Sequence, residues 1–92
     1  MYKYYIQSDD SEVNISFEVK SGTKSVTIGI YDEQGRMLKT LLSETIYSDG
    51  LHFYNSRLDF LLTGMYFLRI EIGNVIYFEK INLEIRKKML YS

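Results

Sequence analysis

The seven residues Leu-Leu-Thr-Gly-Met-Tyr-Phe at positions 61–67 constrain the fold of this chain more than any other stretch. They sit inside residues 50–72, GLHFYNSRLDFLLTGMYFLRIEI, and read as the corner where a loop turns into a central strand of a two-sheet sandwich. Gly64 is expected to take a backbone conformation closed to other residues. Tyr66, two residues on, is placed to pack its ring inward while its hydroxyl reaches back to an upstream carbonyl, as in a tyrosine corner. Downstream, Tyr66, Leu68, Ile70 and Ile72 form an unbroken inward row at the two-residue period of a strand. The opposite face fades from Met65 and Phe67 to Arg69 and Glu71.

The same period recurs along the chain. Residues 12–20 alternate strictly, with Val13, Ile15, Phe17 and Val19 on one face and Asn14, Ser16, Glu18 and Lys20 on the other. After a turn at residues 21–24, alternation resumes over residues 25–32 with Val26, Ile28 and Ile30 inward, so the two segments are expected to form a hairpin. Asp32-Glu33-Gln34-Gly35 makes a second turn, with Gly35 where a left-handed residue closes the loop; a strand returns over residues 36–42, and residues 45–47 form a short further piece. Ser48-Asp49-Gly50 turns the chain into a strand at 51–55, and residues 57–61 cross toward the corner. Gly73-Asn74 fits a two-residue hairpin loop before the last strand, residues 75–85. There the apolar phase shifts between Ile76/Phe78 and Ile81/Leu83/Ile85, which predicts a bulge near Glu79 and Lys80. With residues 2–7 this gives seven or eight short strands and no helical period, hence an all-β fold: an immunoglobulin-like antiparallel β-sandwich forming one domain over residues 1–92.

Composition excludes several classes of function. A net charge of −1, with one basic run at Arg86-Lys87-Lys88, offers no concentrated basic surface for nucleic acid. No stretch approaches the roughly 18 to 20 apolar residues of a membrane-spanning helix, and the N-terminus lacks the apolar run of a secretory signal. The chain is therefore expected to be soluble, and to be cut from a longer precursor if it acts outside the cell. Without cysteine there is neither a disulfide framework nor a thiolate metal site. His52 is the only histidine; flanked by Leu51 and Phe53 on an alternating strand, it reads as a rim residue, not as the base of a triad or the seed of a metal site. Asp9, Asp10 and Glu12 read as a solvated loop, since their spacing matches no calcium loop. The expectation is a non-enzymatic domain with no cofactor and no metal. Nine tyrosines stand out, and Tyr2, Tyr4, Tyr5, Tyr47 and Tyr54 are candidates for an exposed sugar or protein platform, with cross-strand pairing as the structural alternative.

Four segments taken in order carry a family resemblance: IYDEQGRMLKTL at residues 30–41, the Gly50-Leu51-His52 turn, RLDFLLTGMYFLRI at residues 57–70, and FEKINL at residues 78–83. Together they resemble the C-terminal sorting domain, type A, of the type IX secretion system of Bacteroidetes. The resemblance rests on Tyr31, Asp32, Gly35, Arg36, Gly50, His52, Leu61, Gly64, Tyr66, Phe67 and Lys80, and spans about residues 13–83. It implies an immunoglobulin-like sandwich appended to secreted cargo, read by an outer-membrane translocon and in many members removed by a sortase-like peptidase. It also implies a secreted or cell-surface destination. Two features depart from the family pattern: the chain has no proline for the usual Asn-Pro opening, and it continues through residues 84–92 beyond the lysine strand.

The leading expectation is thus a non-catalytic secretion and sorting module whose edge strands and terminal segment meet a protein partner. Glu79, Lys80 and Ile81 are its expected recognition residues, and Asp32, Gly35, Gly64 and Tyr66 its structural motif. The alternative is a structural or adhesive immunoglobulin-like module of a cell-surface protein that binds protein or glycan.

Overall fold

The computed structural model describes residues 2–9 and 11–85. Seven strands follow in chain order: β1 (Tyr4–Asp9), β2 (Glu12–Val19), β3 (Lys24–Tyr31), β4 (Met37–Tyr47), β5 (Gly50–Arg57), β6 (Gly64–Ile72) and β7 (Val75–Leu83). They build two antiparallel sheets, one ordered β1-β2-β5 and the other β4-β3-β6-β7, as the sandwich reading requires. The apolar rows of β2, β3 and β6 face each other across the gap, and Val13, Ile15, Phe17, Val19, Val26, Ile28, Ile30, Leu68, Ile70 and Ile72 are all buried. Each such side chain contributes about 1.5 to 3 kcal/mol through removal from water, so these three rows hold the sheets together. Leu58 and Leu61, on the crossing from β5 to β6, plug the end of the same core.

The sheet membership overturns one local expectation. β2 and β3 do not form a hairpin; β2 pairs with β1 and β5, whereas β3 pairs with β4 and β6. The chain steps from one sheet to the other through Ser21 and Gly22, both at positive φ (63° and 100°).

Two further expectations are corrected. The ladder between β6 and β7 runs without a register shift from Gly64↔Leu83 to Ile72↔Val75, so β7 carries no bulge. Its inward residues are Val75, Tyr77, Glu79, Ile81 and Leu83, while Ile76 and Phe78 point outward and are 45% and 59% exposed. The apparent phase shift arises because the outer face is apolar where the inner face carries Tyr77 and Glu79. The irregularity lies on the other edge of that sheet: β4 shifts register against β3 at three places, and Glu44 takes a left-handed φ of 43° there, with its N–H donating to Thr27 Oγ1 at 3.0 Å. Residues 45–47 continue β4 beyond that irregularity.

Candidate functional site

The motif residues are mostly builders of turns. Asp32 accepts through Oδ1 from the N–H groups of Gln34 and Arg36, both at 2.9 Å, and through Oδ2 from Arg36 Nε at 2.8 Å. The Arg36 N–H above all, with the guanidinium beside it, holds the Asp32 carboxyl below the usual carboxylate range. Gly35 closes the loop at a φ of 84°, a conformation that favours glycine. In the Gly50-Leu51-His52 segment, Gly50 sits at a φ of 124°, and His52 bonds through Nε2 to the Ser48 carbonyl at 2.7 Å. The His52 ring packs at a tilt at the sandwich rim against Tyr47 and Phe17, with centroid separations of 4.7 and 5.7 Å.

At the corner, the Tyr66 hydroxyl donates to the Leu62 carbonyl at 2.6 Å, which is the expected tyrosine-corner bond. Gly64 differs from expectation, because its φ is not positive. A Cβ there would meet the Tyr66 ring at 3.8 Å, ordinary contact distance, so the position is bounded by the tyrosine and not by backbone conformation. The segment after β7 is tied to the same corner: the Ile85 N–H donates to Thr63 Oγ1 at 2.9 Å.

The three expected recognition residues divide between two faces of β7. Ile81 is buried in the core, and Glu79 points into the flank of the sandwich, where the Tyr4 hydroxyl donates to its carboxylate. Burial, then the bond to Glu79, pushes the Tyr4 hydroxyl up to about 12. Lys80 alone points outward, exposed beside Phe67 of β6, and makes no ion pair among the described residues. The basic run at residues 86–88 and Asp10 lie outside the described residues.

The backbone of β7 supplies what its side chains do not. The Gly73 N–H donates to the Ser25 carbonyl at 2.9 Å, which places the odd-numbered residues of β6 against β3 and the even-numbered ones against β7. By the same alternation, Val75, Tyr77, Glu79, Ile81 and Leu83 bond to β6, leaving the N–H and C=O groups of Ile76, Phe78, Lys80 and Asn82 at the open edge. A groove of about 560 Å³ runs beside them, bounded across the flank by Tyr4, Ile6 and Ser8 of β1. Side chains bridge it: the Tyr4 and Tyr77 rings lie 4.7 Å apart, the Tyr2 N–H donates to the Tyr77 hydroxyl at 2.8 Å, and the Ser8 hydroxyl donates to the Asn82 carbonyl at 3.4 Å.

The chain matches the secretion system C-terminal sorting domain over residues 9–84. The chain belongs to this family. It is a sorting domain of type IX secretion, a signal module that marks exported proteins for the cell surface or the exterior, and its work is recognition by secretion machinery. A search of curated proteins returned no match. No helix among the described residues is long and apolar enough to cross a membrane, and no three His, Cys, Asp or Glu side chains among them gather to hold a metal ion.

The sorting domain uses its tyrosines in a way the sequence left open. Tyr2, Tyr4, Tyr47, Tyr54, Tyr66 and Tyr77 are half-buried against the core, so the five-tyrosine platform does not form and only its Tyr5 is exposed. The hydroxyls seal the sandwich instead, as the Tyr54 hydroxyl does by donating to the Leu41 carbonyl on the opposite sheet at 2.8 Å. The expected partner surface was the edge strands and the terminal segment; which strands are edges depends on sheet order, and β7 is one of them.

Proposed function

We propose that the folded sorting domain is read by an outer-membrane translocon through the open edge of β7 and the Lys80 side chain. In this reading the domain performs no catalysis, follows exported cargo in a longer precursor, and is removed afterward by a sortase-like peptidase. The observation that carries it is the unbroken nine-residue β7 ladder, which leaves the outward backbone groups of Ile76, Phe78 and Lys80 unpaired along an open edge, with the Asn82 carbonyl taken by the Ser8 hydroxyl. A partner segment adding as a strand there gains main-chain hydrogen bonds, and Lys80 supplies a charge that favours an acidic residue opposite it. Truncation from residue 79 would be a poor test, since it removes the core residues Ile81 and Leu83 along with the edge.

The informative experiment fuses a periplasmic reporter ahead of the intact domain in a type IX-competent bacterium. The intact domain is expected to carry the reporter to the cell surface. Lys80→Glu reverses one exposed charge, leaves the core untouched, and is expected to hold the reporter in the periplasm while the purified domain keeps its β spectrum. Surface display undiminished by Lys80→Glu would remove Lys80 from the recognition surface.

A further inference from the structure

The outer face of the three-stranded sheet carries an arrangement that lies outside the proposed β7 reading. Register places its residues in rows across β1, β2 and β5: Tyr5, Ser16 and Phe53 form one row, and Gln7, Asn14 and Asn55 the next. Tyr5 and Phe53 are 66% and 74% exposed, leaving two aromatic faces open to solvent on one side of the sheet. They stand two strand spacings apart, about 9 to 10 Å, and the small Ser16 between them leaves a trough of about 320 Å³, at the lower end of the range for small-ligand sites.

The second row adds polar groups with unused capacity. Asn55 Nδ2 donates to Asn14 Oδ1 at 2.7 Å and to Glu12 Oε1 at 3.0 Å, which fixes both amides. Asn14 Nδ2, Asn55 Oδ1, the Gln7 amide and the Ser16 hydroxyl are left without a side-chain partner among the described residues. Both rows are uncharged. Charge is segregated to the flanking rows, where Arg57 pairs with Glu12 at 3.0 Å on one side and Lys3 and Glu18 lie on the other.

We infer that this trough binds a neutral carbohydrate. Flat, exposed ring faces match the C–H faces of pyranose rings, while fixed carboxamides and a hydroxyl offer the paired donors and acceptors that sugar hydroxyls need. An anionic ligand would find no cation in the two central rows, and an apolar one would leave the amides unpaired. The site lies on the other sheet from β7; Tyr5 also borders the groove beside the β7 edge, whereas Phe53 belongs to the trough alone.

The test is affinity electrophoresis of the full chain in native gels containing soluble xyloglucan, galactomannan or hydroxyethyl cellulose, with alginate as the anionic comparison. Retardation is expected in at least one neutral gel and not in alginate, and Tyr5→Ala or Phe53→Ala is expected to weaken it about tenfold, the loss of one stacking contact. Phe78→Ala, on the outer face of the other sheet, is the control that leaves binding intact. Migration unaltered by every neutral polysaccharide overturns the inference, as does retardation that survives both aromatic substitutions. Self-association that Phe53→Ala abolishes, measured by sedimentation, overturns it too, because the trough would then be covered by a second copy of the chain.

Discussion

The four-stranded sheet ends in two strands that treat their open edges in opposite ways. β4 is long but broken: three register shifts against β3 and a left-handed Glu44 turn its free backbone groups out of line. Bulges of this kind are how an edge is made unfit for pairing with another chain. β7 is continuous over all nine residues, with neither bulge nor proline, and keeps Ile76, Phe78, Lys80 and Asn82 aligned toward solvent. One edge is protected and the other is left competent. On the proposed reading, that asymmetry separates the edge offered to a partner from the edge withheld.

Both edges hang on one shared support, the β3–β6 pair, and the largest predicted effect tests that. Leu68 of β6 is fully buried between β3 and β7. Leu68→Ala is expected to cost about 2 to 5 kcal/mol through the cavity it leaves, read as a lower urea midpoint. An unmoved midpoint would mean that the inward row of β6 is not the support of the sheet.

A smaller effect is expected at the corner, where β6 starts opposite the end of β7. Tyr66→Phe deletes the hydroxyl that bonds the Leu62 carbonyl and is expected to destabilise by about 0.5 to 1.5 kcal/mol. Thermal unfolding of the purified variant measures it, and a gain in stability would exclude the corner bond as a stabilising contact.

The smallest effect concerns the flank of β7. The folded domain holds the Tyr4 proton more tightly than the unfolded chain, because the hydroxyl is pushed from its ordinary 10.0 up to about 12. Its contribution is therefore complete below pH 10.0 and is lost as pH rises toward about 12. Tyr4→Phe should flatten this alkaline limb of the stability curve. An identical limb in wild type and variant would show that the Tyr4–Glu79 contact does not couple β1 to β7.

Much of this architecture was legible in the sequence because burial writes a two-residue period. The inward rows of β2, β3 and β6, the Gly35 turn, the Gly73-Asn74 hairpin and the Tyr66 bond were readable from residue order alone. Sheet partners were not. Nothing local distinguishes a β2–β3 hairpin from a crossing between sheets, since both place a turn between two alternating strands. β7 misled for a different reason: Glu79 faces inward where Tyr4 can satisfy it, while Ile76 and Phe78 face outward, so polarity gave the wrong phase. The recognition triplet divides along the same faces: Lys80 is exposed, Glu79 half-buried and Ile81 buried. Rows of outer-face residues such as Tyr5, Ser16 and Phe53 assemble from three separate strands, and no local pattern reveals them.

The central claim is that the β7 edge, as backbone, is what a partner reads. Phe78→Pro removes one outward N–H and no ladder bond, and Thr40→Pro does the same on β4, because Lys39 rather than Thr40 bonds to β3 in that part of the ladder. Phe78→Ala controls for the lost ring. With all three purified domains shown to be folded, surface display of the reporter should fall about tenfold or more for Phe78→Pro, the loss of a recognition hydrogen bond and the strand geometry around it. Thr40→Pro and Phe78→Ala should leave display unchanged. Equal display from all three variants would contradict the account.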